Sequence, residues 1–170
     1  MAQYLAYQGT LINRYFDKDG LRDNNWHLLC FSWRSSDGSY KIYLDGVILK
    51  SSSNYQTGHS IQSGGVLAIG QDQDSVGGDY DATQSFVGSL SGVNIWQTVL
   101  GDDVIQAMSA GCNMWSGDAV SWLQLRRAKI TGVTIKPYAE CSLPAALCGV
   151  KNVYVPCKKN WNCWVLPAHR

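Results

Sequence analysis

Apolar and polar residues are patterned most clearly between positions 26 and 50. Trp26 to Arg34 reads Trp-His-Leu-Leu-Cys-Phe-Ser-Trp-Arg, a run rich in aromatic and apolar residues that predicts a buried strand. Ser36-Asp37-Gly38-Ser39 follows, and Asp-Gly between apolar runs is a strong hairpin signal. Tyr40-Lys41-Ile42-Tyr43-Leu44 then alternates, placing Tyr40, Ile42 and Leu44 on one face of a second strand. Asp45-Gly46 predicts another tight turn before a third strand at Val47-Ile48-Leu49. Residues 51–64 are mostly Ser, Asn, Gln and Gly and read as loop. Gly64-Gly65-Val66-Leu67-Ala68-Ile69-Gly70 predicts a short strand bracketed by glycines and covered on both faces. A further strand is expected over Phe86 to Trp96, with Phe86, Gly88, Leu90, Gly92, Asn94 and Trp96 on one side. Asp102 to Met108 predicts a helix, since its first turn carries two acids that suit the helix dipole, and Gly111 is placed to end it. Ala119 to Leu123 and Ile130 to Ile135 look like two more short strands. Short strands separated by turn signals describe an all-β antiparallel sandwich interrupted by one short α-helix.

Composition narrows the function classes. In a chain of 170 residues only 16% are charged while 45% are apolar, which excludes a disordered chain. Every stretch of about 20 residues is broken by polar groups, so no membrane-spanning helix is expected. The formal net charge of +1 conceals a segregated distribution. Residues 51–125 hold seven Asp and no Lys or Arg, whereas residues 126–170 hold eight basic groups and the only Glu. A long acidic stretch without bases points to a cation. The basic cluster Arg126-Arg127-x-Lys129, with Lys158-Lys159, is modest and reads as a solvated face, so nucleic acid is not an expected partner.

Cysteines stand at 30, 112, 141, 148, 157 and 163, with no Cys-x-x-Cys pair. Cys148, Cys157, Cys163 and His169 match no standard zinc spacing, and disulfides in an oxidising compartment are the better reading. The opening Met-Ala-Gln-Tyr-Leu-Ala-Tyr-Gln lacks the basic head and apolar run of a signal peptide. Extracellular-type cysteines without an export signal make the chain read as N-terminally incomplete. Enzymatic signals are absent: the imidazoles are His27, His59 and His169, none in a catalytic motif, and neither a nucleophile elbow nor a phosphate-cradling loop occurs. His27, inside the first strand run, reads as a packing or hydrogen-bonding residue.

The chemically informative segment runs from Gly70 to Gln84. Asp72, Asp74, Asp79 and Asp81 lie in it together with Gln71, Gln73 and Gln84. Two unit charges about 4 Å apart repel by roughly 4 kcal/mol at an effective dielectric of 20, so converging carboxylates need a counter-charge. Hard oxygen donors at this density suit calcium, and the segment offers no His or Cys for softer metals. Gly77-Gly78 lets the backbone turn so that two acidic arms face one ion. An EF-hand is excluded, because counting from Asp72 puts Val76 at the fifth position and Thr83 where a bidentate Glu is required. The competing reading is a solvated loop whose Asp side chains cap turns.

Residues 64–88, followed by Val93-Asn94-Ile95-Trp96, resemble the calcium-loop signature of the pentraxin family. His27-Leu28-Leu29-Cys30-Phe31-Ser32-Trp33 is similar to the family's His-x-Cys-x-Ser/Thr-Trp signature, with one extra residue between His and Cys. The stretch from Gly111-Cys112 through Ser116-Gly117-Asp118-Ala119-Val120-Ser121-Trp122 to Cys141 is similar to the end of neuronal-type pentraxin domains. The resemblance spans roughly residues 10–141. It implies a flattened antiparallel jelly roll, of the kind shared with concanavalin and laminin-G domains, with Ca2+ bound on one face. By position, Asp72, Gln73 through its backbone carbonyl, Asp74, Asp81 and Gln84 match the family's calcium ligands, while Asp79 matches none. Asp72 and Asp81 stand where some members have Glu. Cys112 and Cys141 match cysteines that pair.

The implied function is calcium-dependent, lectin-like recognition outside the cell, of the kind associated with innate immunity. Implied partners are small anionic or zwitterionic ligands such as phosphocholine and phosphoethanolamine, anionic glycans, or extracellular proteins. The alternative is a laminin-G-like adhesion module of a larger extracellular receptor. Residues 1–141 then form a partial pentraxin-like domain and residues 142–170 a Cys-containing tail. The matching portion lacks roughly the first third of such a domain, which leaves a second ion short of ligands and implies fewer than two calcium ions per chain. It also leaves sheet edges open to a homo-oligomer.

Overall fold

The computed structural model describes residues 23, 25–110, 115–128 and 130–135. These residues fall into two compact units, one containing Gly58–Ser89 and the other His27–Thr57 with the residues from 90 onward.

The second unit is built on a three-stranded antiparallel sheet in the order β1 (Leu29–Arg34), β2 (Ser39–Leu44), β3 (Val47–Ser52). Both hairpins expected from Asp-Gly form. At the first, Asp37 accepts from the Ser39 backbone N–H at 3.0 Å and from the Arg34 guanidinium at 2.6 and 3.1 Å. The Arg34 bond holds the Asp37 carboxyl well below the usual carboxylate range. Gly38 adopts φ +62°, and a Cβ there would stand 2.5 Å from the backbone nitrogen of Tyr55, so only glycine fits this turn. At the second hairpin, Asp45 (φ +51°) and Gly46 (φ +80°) form a two-residue turn with both central residues left-handed, the geometry that matches the twist of paired strands. Asp45 also reaches back to the start of β1, where its carboxylate meets His27 Nδ1 at 2.7 Å and accepts from Leu28 N at 2.8 Å. His27 therefore stands just ahead of β1 in a hydrogen bond.

Register puts Leu29, Phe31 and Trp33 opposite Leu44, Ile42 and Tyr40. The predicted face of Tyr40, Ile42 and Leu44 is thus real, with Tyr40 and Ile42 buried. Tyr43, on the opposite face, is nonetheless 0% exposed. β2 is the central strand, and its second face meets α1 (Asp102–Ser109): Tyr43 Oη donates to Asp102 at 2.7 Å, and Lys41 Nζ donates to both oxygens of the same carboxylate at 2.7 Å. Ile105 and Met108 of α1 are buried, and with Leu28 and Val93 they complete the apolar core of this unit. The helix matches the predicted span, and Ala110 forms its C-cap; Gly111 lies outside the described residues.

Four strand expectations are corrected. Residues 64–70 form no strand: Gly64 lies in a turn and Ile69-Gly70 in a bend, and both glycines take φ +85°, outside the extended region. Over 86–96 no named strand forms; Phe86 N bonds Gly70 O at 2.9 Å and Ile95 bridges Val120, single links rather than a ladder. Residues 122–125 are helical (α2, Trp122–Leu125), because Ser121 and Gln124 close a capping box that satisfies the first turn's free N–H groups. Residues 130–135 form no strand, with a bend at Gly132-Val133. Asn94 ties this region together: its Oδ1 accepts from Gly117 N at 3.1 Å and from Trp122 N at 3.2 Å. The described architecture, one three-stranded antiparallel β-sheet with few helices, fits a β sandwich.

Candidate functional site

The acidic segment lies in the other compact unit, and its geometry is that of two arms joined at the base and by a tight turn. At the base, Phe86 N donates to Gly70 O at 2.9 Å, and Gln71 Nε2 donates to Ser85 Oγ at 2.7 Å. At the tip, Gly78 N donates to Ser75 O at 3.2 Å, and Gly77 takes φ +73° to close the turn. Gly77-Gly78 therefore does turn the backbone at the tip.

On the first arm, half-buried Asp72 accepts from Gln73 N at 3.0 Å. Gln73 spends its side chain inside the loop, donating from Nε2 to Val66 O at 2.8 Å and accepting at Oε1 from Gly77 N at 2.9 Å. Asp74 is exposed. On the second arm, Asp81 is the N-cap of a 3₁₀ turn over Ala82–Gln84 and accepts from Thr83 N at 2.8 Å. That backbone bond holds the Asp81 carboxyl below its ordinary range. Gln84 N closes the turn onto Asp81 O at 3.0 Å, so Asp81 and Gln84 are carried by the same turn. Asp79 sits between the arms at φ +54°, exposed.

The arms are thus joined, but among the described residues no three His, Cys, Asp or Glu side chains converge as a metal-holding group. Carboxylates in a segment without Lys or Arg repel one another, which disfavours such convergence. By donor chemistry the set fits a hard cation: carboxylate, amide and carbonyl oxygens only. Cys112 and Cys141 lie outside the described residues. The Gln71–Ser85 link is the feature that sequence reading missed. Its partners are 14 residues apart, and neither belongs to a motif that would pair them.

Comparison with known proteins bears directly on this segment. The sequence model of the Pentaxin family matches residues 10–137. Neuronal pentraxin-2 of Cavia porcellus is 39% identical over 120 residues, covering 70% of this chain and 28% of that protein. The neuronal pentraxin receptor of Mus musculus is 37% identical over 102 residues, covering 60% of this chain and 21% of that protein. The chain thus spans less than a third of these relatives' length. Among solved structures, the native heptameric SAP-like pentraxin from Limulus polyphemus aligns with a TM-score of 0.53 and 29% identity, over 56% of this chain and 45% of that one.

Proposed function

The chain belongs to the pentaxin family, and from that premise we propose that residues 70–86 form the calcium site of an extracellular, non-enzymatic recognition domain. The observation that carries this reading is the pair of oxygen-bearing arms fastened by Phe86 N to Gly70 O at 2.9 Å. Asp72, the Gln73 carbonyl, Asp74, Asp81 and Gln84 would hold the ion. A bound calcium would supply the positive centre to which phosphate, carboxylate or sulfate oxygens of a ligand attach. The chain's own residues prepare that arrangement. Gln73 braces the tip through Val66 and Gly77, and Asp81 starts the turn that presents Gln84.

The flattened jelly roll is part of this reading, supported by the likeness to the Limulus pentraxin. So is a homo-oligomer, supported by the heptameric state of that relative. The ligand class is a small anionic or zwitterionic group such as phosphocholine, an anionic glycan, or an extracellular protein. Calorimetric titration of the 170-residue chain is expected to give a saturable calcium site with Kd on the order of 10⁻⁴–10⁻³ M, the range of extracellular calcium modules. Retention on phosphocholine resin should then require calcium and be reversed by EDTA. Absence of saturable calcium heat rejects the site. Calcium-dependent retention on heparin resin alone transfers the assignment to glycan adhesion of the laminin-G type.

The partial domain of residues 1–141, with residues 142–170 as a tail, belongs to the same proposal. It is supported by the family match, which ends at residue 137. Cys112 and Cys141 would form a disulfide at the end of that domain. Peptide mapping without reductant is expected to recover the two cysteines linked; finding both as alkylated thiols rejects the pair.

A further inference from the structure

Gln71 is tied to the opposite arm of the acidic loop and is not among the proposed ligands. Its Nε2 donates to Ser85 Oγ at 2.7 Å, and Ser85 Oγ donates its one proton to Ala82 O at 2.8 Å. Because the hydroxyl proton is committed to Ala82, Ser85 can only accept from Gln71. The orientation of the amide is therefore fixed, with nitrogen toward Ser85 and oxygen away. That oxygen, Oε1, is buried and has no hydrogen-bond partner among the described residues. A buried amide oxygen without a donor is unfavourable, and an apolar side chain of the same shape would fill the place at no such cost. What the amide alone contributes is the bond across the two arms. Ser85 is also the C-cap residue of the turn that carries Asp81 and Gln84, so the bond lands where it sets the position of the second arm.

We propose that Gln71 is a positioning residue of the calcium loop: through Ser85 it holds the arm bearing Asp72 and Asp74 in register with the arm bearing Asp81 and Gln84. This rests on the calcium reading above and adds to it the side chain that preorganises the site. An ion that must bring two free arms together binds more weakly than one that meets arms already joined.

The test uses the full 170-residue chain with Gln71→Met, which keeps side-chain length and removes both the N–H and the orphaned oxygen, and with Ser85→Ala. Calcium affinity is read by titration calorimetry, and thermal unfolding is read in EDTA. The expected result for Gln71→Met is calcium affinity roughly three- to tenfold weaker, from the loss of one hydrogen bond, with calcium-free unfolding at the same or a higher temperature. Ser85→Ala should weaken calcium binding by a similar factor. A bond that served only stability would instead lower the calcium-free unfolding temperature. Wild-type affinity in both variants overturns the assignment of Gln71. So does a fall in calcium-free stability that accounts for the loss of affinity. A wild-type chain that binds no calcium overturns the calcium reading and, with it, this role for Gln71.

Discussion

Changing Asp72 and Asp74 together to asparagine is expected to lower calcium affinity on the order of a hundredfold, about 2.7 kcal/mol, and to abolish calcium-dependent retention on ligand resin. Asparagine preserves shape, and its side-chain oxygen can still accept the Gln73 N–H that Asp72 accepts at 3.0 Å. What the double variant loses is two formal charges on the first arm, and affinity in oxygen-ligand calcium sites depends on the number of charged ligands. The calcium-free protein should be no less stable than wild type. The change relieves repulsion in a segment where residues 51–125 hold seven Asp and no Lys or Arg. Opposite movements of affinity and calcium-free stability separate a lost ligand set from a folding defect. Affinity within threefold of wild type would remove Asp72 and Asp74 from the site.

The largest stability effect is expected at Tyr43. It is 0% exposed on the central strand, and its hydroxyl donates to Asp102 at 2.7 Å. Truncating a buried aromatic ring to alanine costs about 3–5 kcal/mol through lost burial and the cavity left behind. For a chain of this size, that lowers the unfolding midpoint by roughly 6–20 °C. Tyr43→Phe keeps the ring and should recover most of the loss. Its residual deficit reports the bond to α1. The same contacts make stability depend on pH at both extremes. Lys41, and then Tyr43, hold the Asp102 carboxyl below its ordinary range. A group depressed in the folded state contributes stability above its unfolded pKa, near 4, and loses it as the pH falls through the folded value. Acidification below about pH 4 should therefore destabilise wild type more than Asp102→Asn. Burial, followed by the Asp102 bond, pushes Tyr43 up to about 12. Its contribution is complete below the unfolded pKa near 10 and fades as the pH rises toward 12. Thermal melts of the variants across pH read both limbs. A Tyr43→Ala midpoint within 3 °C of wild type would refute the central place given to this side chain.

Local chemistry was legible wherever neighbours in sequence decide the conformation. Gly38, Asp45 and Gly46 take left-handed φ values that suit these residue types, and the hairpins follow at the predicted places. The helix at Asp102–Ser109 was equally plain from its acidic first turn and the Gly111 placed to end it. Trp122–Leu125 carried a readable signal too, the Ser121-x-x-Gln124 capping box, but the apolar Val120 and Trp122 beside it suggested a strand. The strands expected at 64–70 and 86–96 failed for a different reason. An apolar run specifies burial, whereas a ladder also needs a partner in register, and Gly64 and Gly70, at the two ends of this run, both leave the extended region.

For the +1 chain met at the outset, the sequence alone determined the two Asp-Gly hairpins, the segregation of charge and an oxygen-only donor set suited to a hard cation. These depend on residue types and on contacts a few positions apart. Only the tertiary structure decided that β2 is buried on both faces, with Tyr43 on the second, that Asp102 receives Lys41 and Tyr43 from about 60 residues away, and that Gln71 and Ser85 fasten the acidic arms. Such contacts join segments whose separation along the chain carries no periodic signal. They exist only once loop closure and packing have brought the partners within hydrogen-bonding distance.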